Sequence, residues 1–387
     1  MNPWLIVPRD PLIFRDGKPF TATPGERSKS LGYPFPSTIA GAVRTLIGPD
    51  PVKGYDQNRV DYLKSITIRG PLLVELTENG QISNWYFSAP ADALLVEERD
   101  SKQINRYALT PIKSNGAMSD LDGLDLIGPA SHVKNKPYKK APHYWSRTFM
   151  EGWLENADDG VVDPKTIGLS DLTREYRTHV SIDPKLQASR EGALFQTSGM
   201  EFIRIELNDQ DRLKTAHSLA LAIETDGQLK EGADFLGGER RVVRWQKAAN
   251  SLPACPEGVR KAINSQKYCR LILATPAYFD KGYLPERLLT KYGISVEAAA
   301  LSRYQTISGW DYAKGNGGEP KPTRRLAPSG SVYFLNLSGL ADTKIEAFIN
   351  EVWLQPISDD DQSCRDGFGL ALLGAWNGKV REMEVES

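Results

Sequence analysis

Cysteine is nearly absent from this chain. Cys255, Cys269 and Cys364 are three in 387 residues, too few and too scattered for a disulfide framework or a CxxC zinc site. Histidine is scarce too, and His132, His143, His179 and His217 show no H-x3-H pairing of the kind that holds a metal. No G-x-S-x-G elbow is present, which removes the usual signature of nucleophilic hydrolysis. No histidine precedes residue 132, so the base that a metal-independent ribonuclease would place near its first helix is missing. The reading is therefore of no metal, no cofactor and no catalytic residue, with Asp10 and Asp16 taken as turn formers. Long apolar runs are also lacking, since none approaches the roughly 18 residues that span a bilayer. The opening segment breaks at Pro8, Arg9 and Asp10, where a signal peptide would stay apolar. A soluble protein of a reducing cytoplasm, with no membrane partner, is expected.

An excess of charge of one sign is the last absence: 48 Lys and Arg stand against 49 Asp and Glu, for a net charge of -1, so the average gives no hint of nucleic acid. What is present is local segregation. Residues 126–150 hold five Lys or Arg and no acid, whereas residues 151–163 hold five acids and no Lys or Arg. Between residues 240 and 270 there are eight Lys or Arg and one acid. In the first stretch the cations lie among Tyr138, Tyr144, Trp145 and Phe149, which places phosphate-binding charge beside stacking faces. The competing reading is a solvated insertion pinned down by its aromatics. The third stretch opens with Leu236-Gly237-Gly238-Glu239-Arg240-Arg241, where glycines allow close backbone approach and the arginines can grip phosphate bidentately. A structural Glu–Arg pair beneath a turn is its competitor.

Chains much longer than about 250 residues usually divide into more than one core, so two domains are expected. Strands are read at Trp4–Val7, Pro11–Phe14, Ser65–Ile68, Leu72–Leu76, Ile82–Phe87, Leu219–Ile223, Tyr268–Thr275 and Val332–Leu337. A helix capped by Ser37 or Thr38 runs to about Leu46, with Ile39, Val43 and Leu46 on one face. Ile345, Phe348, Ile349 and Val352 mark a second amphipathic helix. Residues 101–164 have no sustained period and read as an insertion rather than core. Gly367-x-Gly369-x4-Gly374 lacks the strand-before, helix-after context of a dinucleotide loop, which leaves a tight turn or an RNA-backbone contact. The order of elements suggests an α+β protein of two split βαβ domains, residues 1–240 and 241–387.

Taken together, Pro11-Leu12-Ile13-Phe14-Arg15-Asp16-Gly17-Lys18-Pro19-Phe20 and Pro34-Phe35-Pro36-Ser37-Thr38-Ile39-Ala40-Gly41-Ala42-Val43-Arg44 resemble the N-terminal pattern of RAMP proteins. Within them the resemblance is to the third-subunit family of type III-B (Cmr) CRISPR effector complexes. Arg177–Phe195 is similar to the segment that forms an RNA-inserting thumb hairpin, although its turn, Asp183–Ala188, lacks the Thr-Gly often found there. Leu236–Arg241 and the terminal glycine turn match as well, the latter a residue short in spacing. The resemblance covers nearly the whole chain. It implies two ferredoxin-like (RRM-like) RAMP domains, an insertion at about 101–164 and a thumb-like β-hairpin at about 174–199. It further implies a non-catalytic RNA-binding scaffold that holds the 5′ repeat-derived tag of a guide RNA. The large polymerase/cyclase-like subunit and a backbone RAMP subunit would be its neighbours, with the small helical subunit and target RNA as open candidates. On this reading Arg15, Lys18, Arg27 and Arg44 neutralise tag phosphates, and Ser37 and Thr38 offer a helix N-terminus. Gly238, Arg240 and Arg241 support from the domain junction, while Arg177 and His179 belong to the thumb base. Two rivals remain: a RAMP-type endoribonuclease using Asp16 or His179, and a scaffold that binds only proteins.

Overall fold

Trp4, Leu5 and Ile6 are all buried although alternate residues of a strand face opposite sides, so the sheet that contains Asn2–Pro8 is covered on both faces. The computed structural model describes residues 1–15, 30–50, 52–99, 101–113, 123–130, 132–208, 210, 212–311 and 318–382. It is a mixed α+β architecture whose sheets are mostly antiparallel. The largest sheet runs Gly232–Phe235, Val242–Lys247, Asn2–Pro8, Leu213–Thr225, Ile68–Leu76, Ile82–Ser88, Tyr144–Ser146 and Gly168–Leu169, with Ile203–Leu207 beside Leu213–Thr225. Its register places Trp4 opposite Ile223 and Lys247, and Leu5 opposite Ala222 and Gln246. Trp4 and Ile6 then meet Ile39, Ala40 and Val43 of helix α1 (Pro36–Ile47) in a smaller core, while Leu5 joins the larger core on the other face.

The second half follows a strand–helix–strand–strand–helix–strand order. Tyr268–Leu273, Ser295–Ala300, Val332–Asn336 and Ala371–Ala375 form a four-stranded antiparallel sheet in the spatial order second, third, first, fourth. Glu286–Tyr292 and Asp342–Val352 are its crossover helices, and the expected stripe Ile345, Phe348, Ile349 and Val352 is buried. A further pair of strands, Thr173–Asp183 and Ala188–Glu201, forms a hairpin that pairs with no other strand among the described residues. The Asp183 carboxylate shapes its turn by accepting from the Lys185 and Leu186 amides at 2.8 and 3.2 Å. Leu12 and Met200 exchange backbone hydrogen bonds of 2.9 and 2.8 Å and pin its base to the body.

Several expectations change. Pro11–Phe14 is no strand; Leu12 makes only an isolated bridge to Met200. Ser65 ends a helix, α2 (Gln57–Ser65), whose start is capped by the Asp56 carboxylate accepting from the Arg59 amide. Phe35, not Ser37 or Thr38, is the N-cap of α1: Pro36 has no N–H to lose and occupies the first turn, so both hydroxyl residues fall inside the helix. The stretch 101–164 is not peripheral throughout. Trp145 and, from helix α3 (Arg147–Glu155), Met150, Trp153 and Leu154 are fully buried in the larger core. Finally, Val242–Lys247 pairs with Asn2–Pro8, so the residues directly after 240 extend the first sheet.

The two halves are tied by a buried ion pair. Asp92 and Arg270 are 1% and 2% exposed and meet at 2.7 Å. Arg270 also donates to the carbonyls of Trp153 at 2.6 Å and Ala375 at 3.0 Å, and the Trp153 indole N–H donates to the other Asp92 oxygen at 3.0 Å. Asp92→Ala would strand a buried guanidinium, which costs about 3–5 kcal/mol. Urea unfolding should show that loss, with Asp92→Asn milder; an unchanged midpoint for Asp92→Ala would refute the role.

Candidate nucleic-acid interface

Glycine at position 237 is a geometric requirement. Its φ is +77°, and a Cβ placed there would lie 2.5 Å from the Ile13 carbonyl oxygen. That close approach lets the Gly238 amide donate to Ile13 at 2.7 Å, clamping the 236–241 loop onto the segment that leads to Arg15. Glu239 and Arg240 follow with φ of +60° and +51°, a left-handed pair without glycine. Two contacts hold them there. The Leu236 amide donates to the Arg241 carbonyl at 2.9 Å, and the Arg241 guanidinium meets Glu239 at 2.8 Å.

An open cleft of about 720 Å³ results, lined by Ile13, Phe14, Arg15, Thr38, Phe235, Gly237, Gly238, Glu239 and Trp310, among others. Arg15 is exposed on its rim. Arg240 is exposed beside it, with its guanidinium 4.5 Å over the Phe235 ring and no ion pair among the described residues. Trp310 comes from the second half, at the end of a two-stranded extension (Gln305–Ile307 with Arg324–Leu326, then Trp310–Asp311 with Glu319–Pro320), and is 50% exposed. Exposed arginines and aromatic faces thus converge on one groove, whose lining also includes Asp234 and Glu239, and this basic and aromatic rim suits a phosphate chain with unstacked bases.

The hairpin base reaches the same region. Arg177 bonds to Glu175 at 2.9 Å; that hydrogen bond, with the more distant carboxylates of Glu239 and Asp10, raises its proton affinity. His179 bonds to Thr197 at 2.9 Å and stacks on Phe195 with centroids 5.1 Å apart and planes 16° apart.

A second cavity, about 350 Å³, lies between the halves on the other side of the α1 start, where Phe35 and Pro36 line it with Tyr33, Tyr86, Tyr144, Pro276 and Gln305. The Tyr33 hydroxyl and the Gln305 side-chain oxygen have no partner among the described residues. Burial, then the neighbouring Tyr144, pushes the Tyr33 hydroxyl well up, so it stays neutral.

The residues proposed from sequence therefore separate. Arg15, Thr38, Gly238 and Arg240 come together at the cleft, and Arg177 and His179 stand on the hairpin beside it. Arg44 does not join them: it bonds to Asp366 at 2.6 Å and to the Leu63 carbonyl at 2.8 Å, fastening α1 to the turn before the last long strand. Arg241 is buried against Glu239 and acts beneath the loop, the structural competitor foreseen for that motif. Ser37 lies in the helix outside the cleft lining. Lys18, Arg27 and Asp16 lie outside the described residues. Phe235 and Trp310 were missed. Each lies within two residues of a glycine, Gly237 and Gly309, and an aromatic close to a turn glycine is the signal that would have found them.

Residues 4–376 match the family described as CRISPR-associated protein (Cas_Cmr3). The chain belongs to the Cas_Cmr3 family. No curated protein matches it. Solved structures similar to it include a chain of the type III-B Cmr-beta complex bound to cognate target RNA and AMPPnP, at 15% identity over 98% of both chains with a TM-score of 0.49. Another is a chain of type III-B Cmr-beta bound to cognate target RNA, at 16% identity over 90% of this chain and 93% of the other, with a TM-score of 0.46. A chain of the Csm3–Csm4 subcomplex of a type III-A interference complex shares 11% identity over 86% and 92% of the two chains, with a TM-score of 0.36.

Gly237→Ala should lower the melting temperature, reporting about 1–3 kcal/mol of strain and clash at this loop. An unaltered melting curve would show that the clamp on Ile13 is dispensable.

Proposed function

We propose that this Cas_Cmr3 family member is a non-catalytic RNA-binding scaffold, the third subunit of a type III-B effector complex. It holds the 5′ repeat-derived tag of the guide RNA in the cleft between α1, the 236–241 loop and Trp310. The carrying observation is the convergence of Arg15, Thr38, Gly238, the Arg240–Phe235 pair and Trp310 from three distant parts of the chain on one open groove. Arg15 and Arg240 neutralise and orient phosphates, and Trp310 supplies a face for a splayed base. The neighbouring cavity, with its neutral Tyr33 hydroxyl and unpartnered Gln305 oxygen, offers such a base a hydrogen-bonding edge.

The two halves are best regarded as ferredoxin-like RAMP units. In the second, the βαββαβ order and strand arrangement support this; in the first, Asn2–Pro8, α1, Ile68–Leu76, Leu213–Thr225 and Val242–Lys247 take the same arrangement with only one helix. The division between them then falls after Lys247. The 173–201 hairpin, anchored at its base, acts as the thumb, and the large polymerase/cyclase-like subunit and a backbone RAMP subunit are the neighbours this role requires. Among the described residues no group of three or more metal-ligating side chains accompanies His179, whose ring is engaged by Thr197 and Phe195.

The test is equilibrium binding of the full chain to a guide RNA with and without its 5′ tag. Arg15→Glu combined with Arg240→Glu should abolish the preference for tagged RNA. Trp310→Ala should weaken tagged-RNA binding about 5- to 150-fold, the stacking of one base. Equal affinity of parent and variants for tagged RNA would reject the assignment, as would discrete cleavage of that RNA by the purified protein.

A further inference from the structure

Four lysines of the loop between Leu126–Pro129 and Tyr144–Ser146 have no role in the cleft. Lys134, Lys136, Lys139 and Lys140 are all exposed, and none forms an ion pair with a described residue. The aromatics that accompany them in the sequence are elsewhere engaged: Trp145 is fully buried, and Tyr138 and Phe149 pack on the larger core. What was a mixed basic and aromatic stretch in one dimension is, on the surface, a strip of lysines.

The strip is held in place. Pro137 bridges to Val96, the Tyr138 amide donates to the Leu95 carbonyl at 2.8 Å, and the Asn135 amide group donates to Glu98 at 2.7 Å. These contacts set the loop against the strand Ala93–Glu97 and beside the turn that follows it, which adds the exposed Arg99 and Lys102. Glu98 is shared among Asn105, Tyr107 and Asn135. Nor do the acids of residues 151–163 come back to the lysines: Glu151 holds Arg147 at 2.6 Å, Asp159 accepts the Ala108 amide at 2.7 Å, and Asp163 accepts the Lys165 amide at 3.0 Å. Charge segregation in the sequence thus persists on the surface: among the described residues none of the four lysines is ion-paired, although the strand they are set against ends in the exposed Glu97.

We propose that Lys134, Lys136, Lys139 and Lys140, with Arg99 and Lys102, form a second nucleic-acid surface that grips the phosphate backbone of RNA without reading its bases. Lysine is depleted from protein–protein interfaces, where ordering its long side chain and stripping its hydration are costly, so a lysine strip fits a polyphosphate better than a protein face. A compact, strongly hydrated ammonium suits point contacts to successive phosphates. Among the described residues the loop exposes no Phe, Tyr or Trp, and its exposed rings are the imidazoles of His132 and His143, so contact is chiefly with the backbone and carries little base preference. The surface shares no residue with the cleft lining and stands whether or not the cleft holds a tag.

Salt dependence is the direct test, with the full chain and a 40-nucleotide oligouridylate as probe. Each phosphate contact on a single strand contributes about 0.7 to the slope of log K against log salt, so replacing all four lysines with Ala should flatten the slope by about 2 to 3. Affinity at low salt should fall at least tenfold. The corresponding Lys→Gln variant, which keeps most of the side-chain bulk, should show the same loss, and the Lys→Arg variant should restore both slope and affinity. The Arg15→Glu/Arg240→Glu cleft variant should retain the slope difference between Lys and Ala forms, which separates this surface from the cleft. Unchanged slope and affinity in the Ala and Gln variants would overturn the proposal. If RNA binding is unchanged while those variants fail to assemble with the other effector subunits, the strip binds an acidic protein face and the proposal is likewise overturned.

Discussion

The ion pair between Asp92 and Arg270 is the constraint on which the arrangement of the two halves depends. Both charges are almost wholly buried, so each is tolerable only because its partner, the Trp153 indole and the carbonyls of Trp153, Leu154 and Ala375 supply hydrogen bonds. Those groups come from a loop after the first hairpin, from α3, from the first strand of the second sheet and from its last. One node thereby fixes four elements drawn from both halves. The larger core around it is continuous, with Leu72, Val74 and Trp145 on one side and Leu271, Leu335 and Phe348 on the other.

A rigid junction is what makes a site at the boundary workable. The cleft draws Arg15 and Thr38 from the first sheet's helical face, Phe235 to Arg240 from the loop before the strand Val242–Lys247, and Trp310 from the second half. None of these segments is a pocket alone. Gly237 brings the loop against Ile13, and the consecutive left-handed residues Glu239 and Arg240 turn the Arg240 side chain outward over Phe235 while Arg241 is drawn inward to Glu239. Two adjacent arginines with one charge have thus been divided between an exposed and a structural task by backbone conformation.

Charge follows the same logic. A net charge of -1 conceals cations that are exposed in two places, beside the cleft and on the lysine strip, and cations that serve folding, such as Arg44, Arg241 and Arg270. Composition averages over these roles. Position in the fold does not, because a buried arginine must be matched by acceptors whereas an exposed one is matched by solvent or a partner.

By itself the sequence determined the elements with strong periodicity: the first strand, the body of α1, the strand Ile82–Ser88 and the helix Asp342–Val352. Family membership was legible too, from motifs spread along the chain. Local signals misled where tertiary contacts override them: residues 101–164 lack a period because α3 and its flanking strands are short, yet Trp153 is at the centre of the core. Only the tertiary structure decided which arginines are available, that Phe235 and Trp310 face one groove, and that the lysines near residue 137 are separated from their neighbouring acids. The reason is physical: whether a charged or aromatic side chain is free is set by partners that lie tens to hundreds of residues away, as Asp366 does for Arg44 and Asp92 for Arg270.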